Sequence, residues 1–165
     1  MNKGLKFMRN AALCGALYYA ATVGWVQFLS FANRESYKGE QQITTQAALE
    51  ETANNLRHSI APNDKRDIRI RFTPDRATLP GEVVAPGHSY SYKWAGLFYR
   101  INISKGQAYP SVVKHELYHV LSGDCDSAQA MGESDFSERI AFPLANVYYY
   151  EPKAIYYSYT DKKLN

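Results

Sequence analysis

The chain has 165 residues, enough for one hydrophobic core without disulfide or metal support, and its 45% hydrophobic and 21% charged content excludes general disorder. The formal charge is +3, but Lys3, Lys6 and Arg9 precede residue 33 with no acid among them, and the rest carries 16 acids and as many bases. A domain without net charge lacks the basic field that a general nucleic-acid binder needs to neutralise phosphates, so nucleic acid is not expected as a partner.

Residues 11–32, AALCGALYYAATVGWVQFLSFA, contain no charge, and Gln27 is their main polar interruption. A helix of that length, at about 1.5 Å per residue, just spans a hydrocarbon core. Basic residues before it and the mixed run Arg34, Glu35, Lys38, Glu40 after it put the amino terminus in the cytoplasm by the positive-inside rule. Residues 1–32 are therefore expected to be a signal-anchor or a signal peptide. Ser30 and Ala32 fit a small-x-small cleavage pattern, but the apolar run exceeds a signal-peptide core of roughly 7–15 residues, which favours a single-pass anchor over a secreted or periplasmic product. Leu13 before Cys14 disfavours a lipoprotein site. Cys14 and Cys125, one in the apolar segment and one in the domain, do not make a disulfide framework.

Residues 33–41 are polar, contain Gly39 and read as a linker; the domain is expected over 42–150. Leu49, Ala53, Leu56 and Ile60 recur at helical spacing before a stop at Pro62, which predicts an amphipathic helix over 42–60. Ile68, Ile70 and Phe72 alternate with Arg69 and Arg71, the period of a half-buried strand. A short strand fits 82–84 between Pro-Gly turns. Tyr90–Trp94 and 97–103 alternate on either side of Ala95-Gly96 and predict a hairpin. Pro110 opens a helix running to Leu121 that Gly123 closes. After an irregular stretch, Ser134 caps a last helix with Phe136, Ile140, Leu144 and Val147 in one stripe, kinked or split at Pro143. Residues 151–165 form a Tyr-rich tail. The expected class is α+β.

Within the helix at 110–121 lies VVKHELYHVL. His115 and His119, four residues apart, fall on one helical face and can grip one metal ion, with zinc favoured by paired imidazoles. Glu116, beside the first histidine, projects where it can take a proton from a water at the metal without being a ligand. The flanking Val112, Val113, Leu117, Tyr118, Val120 and Leu121 are uncharged, as a helix through the middle of a domain requires, and only Lys114 carries charge, at a position facing outward.

This segment resembles the zincin metallopeptidases, whose extended HExxH motif takes uncharged residues at the same flanking places; a first helix, a small mixed sheet and the motif helix follow in their order. The resemblance covers residues 42–150. It implies a zincin-like fold with Zn2+ on His115 and His119, Glu116 as general base in hydrolysis of a peptide or protein substrate, and the strand at 97–103 as the edge that pairs with substrate. A catalytic zinc takes three protein ligands and an open position. The chain is similar here to the small gluzincins, in which a glutamate on a following helix completes the site, and this points to Glu138, with Ala141 and Ala145 on its face. Glu133 and Glu151 are further candidates. In the metzincin pattern the third ligand follows the motif closely; Gly123 and Asp126 each sit one position too late for it, leaving Asp124, Cys125 and Asp126 as alternatives. Met131 is read as packing, and His58 and His88 as surface residues. A Tyr or His that steadies the oxyanion is expected, and Tyr148, Tyr149, Tyr150, Tyr156 and Tyr157 are all available without one being singled out. The competing function is a non-catalytic zincin-like envelope module that binds a partner through its Tyr-rich tail and exposed strand. An intact Glu116 favours the enzyme, because metal binding alone does not require that base.

Overall fold

The computed structural model describes residues 3–74, 88–131 and 142–164. Its architecture is α+β, with helices packed around a three-stranded sheet. The first helix, α1 (Lys3–Ser36), runs through the uncharged segment without a break and takes up the start of the expected linker. Gly39, at φ 87°, turns the chain back, and Tyr37 stacks on Tyr109 with centroids 4.7 Å apart. Among the described residues no helix is long and apolar enough to cross a membrane. Tyr18, Tyr19, Thr22, Gly24 and Gln27 dilute the aliphatic residues of α1 and lower its mean hydropathy.

Helix α2 (Gln46–Ile60) starts later than its periodicity suggests because Thr45 caps it, its hydroxyl accepting the Ala48 N–H at 3.3 Å. Leu49, Ala53 and Ile60 are buried as the spacing requires. Strand β1 (Ile68–Phe72) pairs in parallel with β3 (Phe98–Ile103), and β2 (Tyr90–Trp94) pairs antiparallel with β3, giving the order β1-β3-β2. The register sets Ile70 beside Ile101 and Phe72 beside Ile103, so the alternating apolar residues of both strands share one face. That face meets α2 and the motif helix α3 (Pro110–Leu121) in a core of Leu49, Ile101, Ile103, Val113, Leu117 and Tyr118. On the other face Arg71 donates to the Asn102 side-chain oxygen at 2.9 Å, and the Arg69 guanidinium lies 3.8 Å from the Phe98 ring centre. β3 is the central strand, paired on both sides, so it is not the open edge expected from the resemblance; among the described residues the outer positions belong to β1 and β2.

Gly123, at φ 83°, ends α3 as expected, but the chain then re-enters a helix, α4 (Asp124–Met131), in place of the expected irregular stretch. The expected strand at 82–84 and the Ser134 cap lie outside the described residues. Helix α5 (Phe142–Ala145) passes into a single π-turn, Asn146–Tyr150, and then into α6 (Glu151–Thr160). The Tyr-rich stretch read as a tail is thus helical, with Pro152 in its first turn; Ala154 is fully buried and Tyr157 packs against the same core.

Candidate metal centre

The motif helix is fixed along its N-terminal turns before its histidines are reached. The Glu40 carboxylate accepts the Ser111 backbone N–H at 3.0 Å and its hydroxyl at 2.9 Å, satisfying donors at the helix start. Lys114, expected to face outward, is half-buried and donates to the Ser158 carbonyl at 2.7 Å, in the last turn of α6, where a cation is favoured. Val113, Leu117 and Val120 bind the helix into the core, leaving His115, Glu116 and His119 buried on the side that meets α6 and β2.

The two Nε2 atoms of His115 and His119 lie 3.1 Å apart. Glu151, at the start of α6, brings one carboxylate oxygen to 3.2 Å from His115 Nε2 and the other to 3.5 Å from His119 Nε2. Zinc bonds of about 2.0–2.2 Å in tetrahedral geometry separate ligand atoms by about 3.3–3.6 Å; with one ligand atom from each residue the three donors lie within 4.8 Å of one another, near enough to converge on one ion with a small side-chain adjustment. His115, His119 and Glu151 are the only metal-competent group of this kind among the described residues. Behind the site, His119 Nδ1 lies 3.1 Å from the Asp124 carboxylate, which also receives the Lys153 ammonium. An Nδ1–H donated to Asp124 turns the Nε2 lone pair toward Glu151, the arrangement a metal-ligating imidazole adopts. Three electron-rich atoms converging in a buried space need protons or a cation between them.

The electrostatics carry the same message. Burial alone would lower the His119 pKa, but hydrogen bonds with Asp124 and Glu151 push it up to about 10. Burial would raise the Glu151 carboxyl, yet His115 and His119 hold it well below the usual carboxylate range. Glu116 goes the other way: burial raises its pKa, against the pull of His115 and His119 and a hydrogen bond with Ser91 of β2. A carboxyl shifted upward beside two imidazoles accepts a proton more readily than a solvated one and is placed to return it.

The structure brings together His115, Glu116 and His119 as the spacing requires, with Glu151 as the third donor. Glu138 and Glu133 lie outside the described residues. Asp124 stands behind His119 and does not join the donor group. Asp126 is bound to Lys93 at 2.7 Å and to the Tyr99 hydroxyl at 2.8 Å, tying α4 to the sheet. The Cys125 thiol contacts the Ser91 hydroxyl at 3.7 Å, burial pushes its pKa up to about 12, and it does not join the donor group. His58 and His88 are exposed, as read. Of the tyrosines considered for an oxyanion, Tyr148 contacts Thr22, and the Tyr157 ring packs on Tyr118. Ser91 and Lys153 went unread in the sequence, for a serine on a strand and a lysine two residues from a glutamate carry no local signature. No protein-family model, curated relative or solved structure matches the chain.

Proposed function

We propose that this protein is a zinc-dependent metallopeptidase of the zincin type, with His115, His119 and Glu151 as metal ligands and Glu116 as general base. The observation that carries the reading is the convergence of His115, His119 and Glu151, one ligand atom from each within 4.8 Å of the others, around a motif helix whose next residue after the first ligand is a buried carboxylate. When bound, zinc supplies Lewis-acid polarisation of a carbonyl and makes water more acidic. Glu116, with its raised pKa, takes the proton from the attacking water and delivers it to the leaving amine. Ser91 orients Glu116 from the sheet side, and Asp124 orients His119 from behind. The open edge of β2 offers backbone donors and acceptors to an extended peptide, and Ser91 on that strand puts the edge next to the base. Attachment to a membrane through α1 belongs to the same proposal.

The test is metal content and peptidase activity of the full chain beside Glu116→Gln and Glu151→Gln. One zinc per chain is expected, with activity lost by at least ~100-fold in Glu116→Gln while zinc is retained, and zinc itself weakened in Glu151→Gln. A metal-loaded wild type that cleaves no member of a peptide library would turn the reading toward the binding module. A wild type that takes up no zinc would overturn it.

A further inference from the structure

Glu151 follows directly on an irregular helical turn. Immediately before it, Asn146–Tyr150 form one π-turn, in which the helix carries an extra residue per turn and ordinary α hydrogen bonds are lost. Such turns persist where surrounding structure supports them, and two side chains of α1 do so here. The Trp25 indole N–H donates to the Val147 carbonyl at 2.9 Å, and the Thr22 hydroxyl lies 2.5 Å from the Tyr148 hydroxyl. Thr22 and Trp25 are three residues apart, on one face of α1. Further along that helix Leu29 is buried, and the Tyr159 hydroxyl donates to the Ala32 carbonyl at 3.0 Å. α1 therefore holds the chain on both sides of Glu151, at the π-turn before it and at the last turn of α6 after it.

The π-turn sets where Glu151 points. Relaxing it to α geometry would advance the following residues by one position, about 100° around the axis and about 1.5 Å along it. The carboxylate would then leave His115 and His119, neither of which can follow because α3 is packed into the core. Resting on the metal reading above, we infer that α1 is a positioning element of the metal centre: Trp25 and Thr22 hold the π-turn that aims Glu151, so α1 docking and metal binding reinforce each other. An N-terminal helix that looks from sequence like a leader or an anchor is then needed to complete the ligand set, and its release lowers metal affinity.

The experiment substitutes cobalt(II) for zinc in the full chain and records its visible spectrum, with zinc affinity measured by chelator competition. Wild type, Trp25→Phe, Tyr148→Phe and Glu151→Gln are compared. Coupling between distinct sites is typically 5–150-fold, so Trp25→Phe is expected to weaken zinc about tenfold and to move the cobalt spectrum toward that of Glu151→Gln. Tyr148→Phe removes only one hydroxyl and is expected to do the same to a smaller extent. If both variants keep the wild-type spectrum and affinity, the inference is overturned. It is equally overturned if they melt at lower temperature while the folded fraction keeps the wild-type cobalt spectrum, because α1 would then be structural support alone. A wild type that binds neither cobalt nor zinc would defeat the metal reading itself, an outcome distinct from normal wild-type binding with indifferent variants.

Discussion

His119 sits between two carboxylates, one on each ring nitrogen, and that placement gives its proton an opposite meaning for the folded chain and for the metal. Burial favours the neutral ring, but Asp124 and Glu151 together raise the pKa from 6.5 to about 10. A group whose pKa is raised on folding contributes stability that is fully present below its unfolded value and is lost as pH climbs through the folded one. The metal-free protein is therefore expected to melt at lower temperature at pH 9.5 than at pH 6.5. A metal needs the neutral imidazole, so zinc affinity moves the other way and rises with pH through the same window, by up to about tenfold per unit. Thermal melts of chelator-treated protein, with and without excess zinc, check both trends. A metal-free melting temperature that stays flat from pH 6.5 to 9.5 would contradict the Asp124–His119–Glu151 arrangement.

The elements divide by how local their causes are. The motif helix, α2 and the hairpin are written in near-neighbour patterns: the i, i+4 histidines, the stripe Leu49, Ala53, Leu56 and Ile60, and two alternating runs around Ala95-Gly96. Strand order is not local, and this is why the resemblance pointed to β3 as the edge when β1 in fact covers its second side. Glu151 was less legible than His115 or His119 for the same reason, since its approach depends on a π-turn and on contacts with α1 more than 120 residues away in sequence. The α6 segment was read as a tail because its tyrosines lack a 3.6-residue stripe; small Ala154 is what lets it seat against the core. The hairpin also yields a prediction. Ala95 and Gly96 occupy two positions of its three-residue turn, 95–97, at φ 47° and 71°, both in the left-handed region, and there is open space around Gly96. A left-handed alanine costs roughly 1–2 kcal/mol that glycine avoids, partly offset by glycine's greater unfolded-state entropy. Ala95→Gly should stabilise the protein by about 0.5–1 kcal/mol, visible as a raised denaturant midpoint with an unchanged slope. A lower midpoint would mean that the turn does not hold this conformation in solution.

The whole molecule has two unlike surfaces. The domain buries its aliphatic residues in one core, whereas the N-terminal part of α1 exposes Leu13, Leu17, Tyr18, Tyr19 and Val23, with Phe28 and Phe31 further on. Successive residues on a helix are about 100° apart, so these side chains point in several directions and do not form the single stripe that a packing partner of one face would need. An exposed apolar surface of this extent marks contact with a membrane or another protein. The charge pattern favours lipid, because Lys3, Lys6 and Arg9 precede the apolar stretch and no acid occurs before residue 33. Tyr148 and Tyr149 are exposed on the segment docked against α1, adding amphipathic rings of the kind that sit at headgroup level. The full chain is therefore expected to float with vesicles containing anionic lipid. Raising the salt should weaken this binding without abolishing it, since salt screens the basic residues and not the apolar contact. Leu17→Glu with Val23→Glu should release the protein while leaving zinc binding near the wild-type level, because neither side chain belongs to the Thr22–Trp25 grip on the π-turn. Full-chain protein that stays at the bottom of the gradient with every lipid composition would exclude a membrane as the partner of this helix.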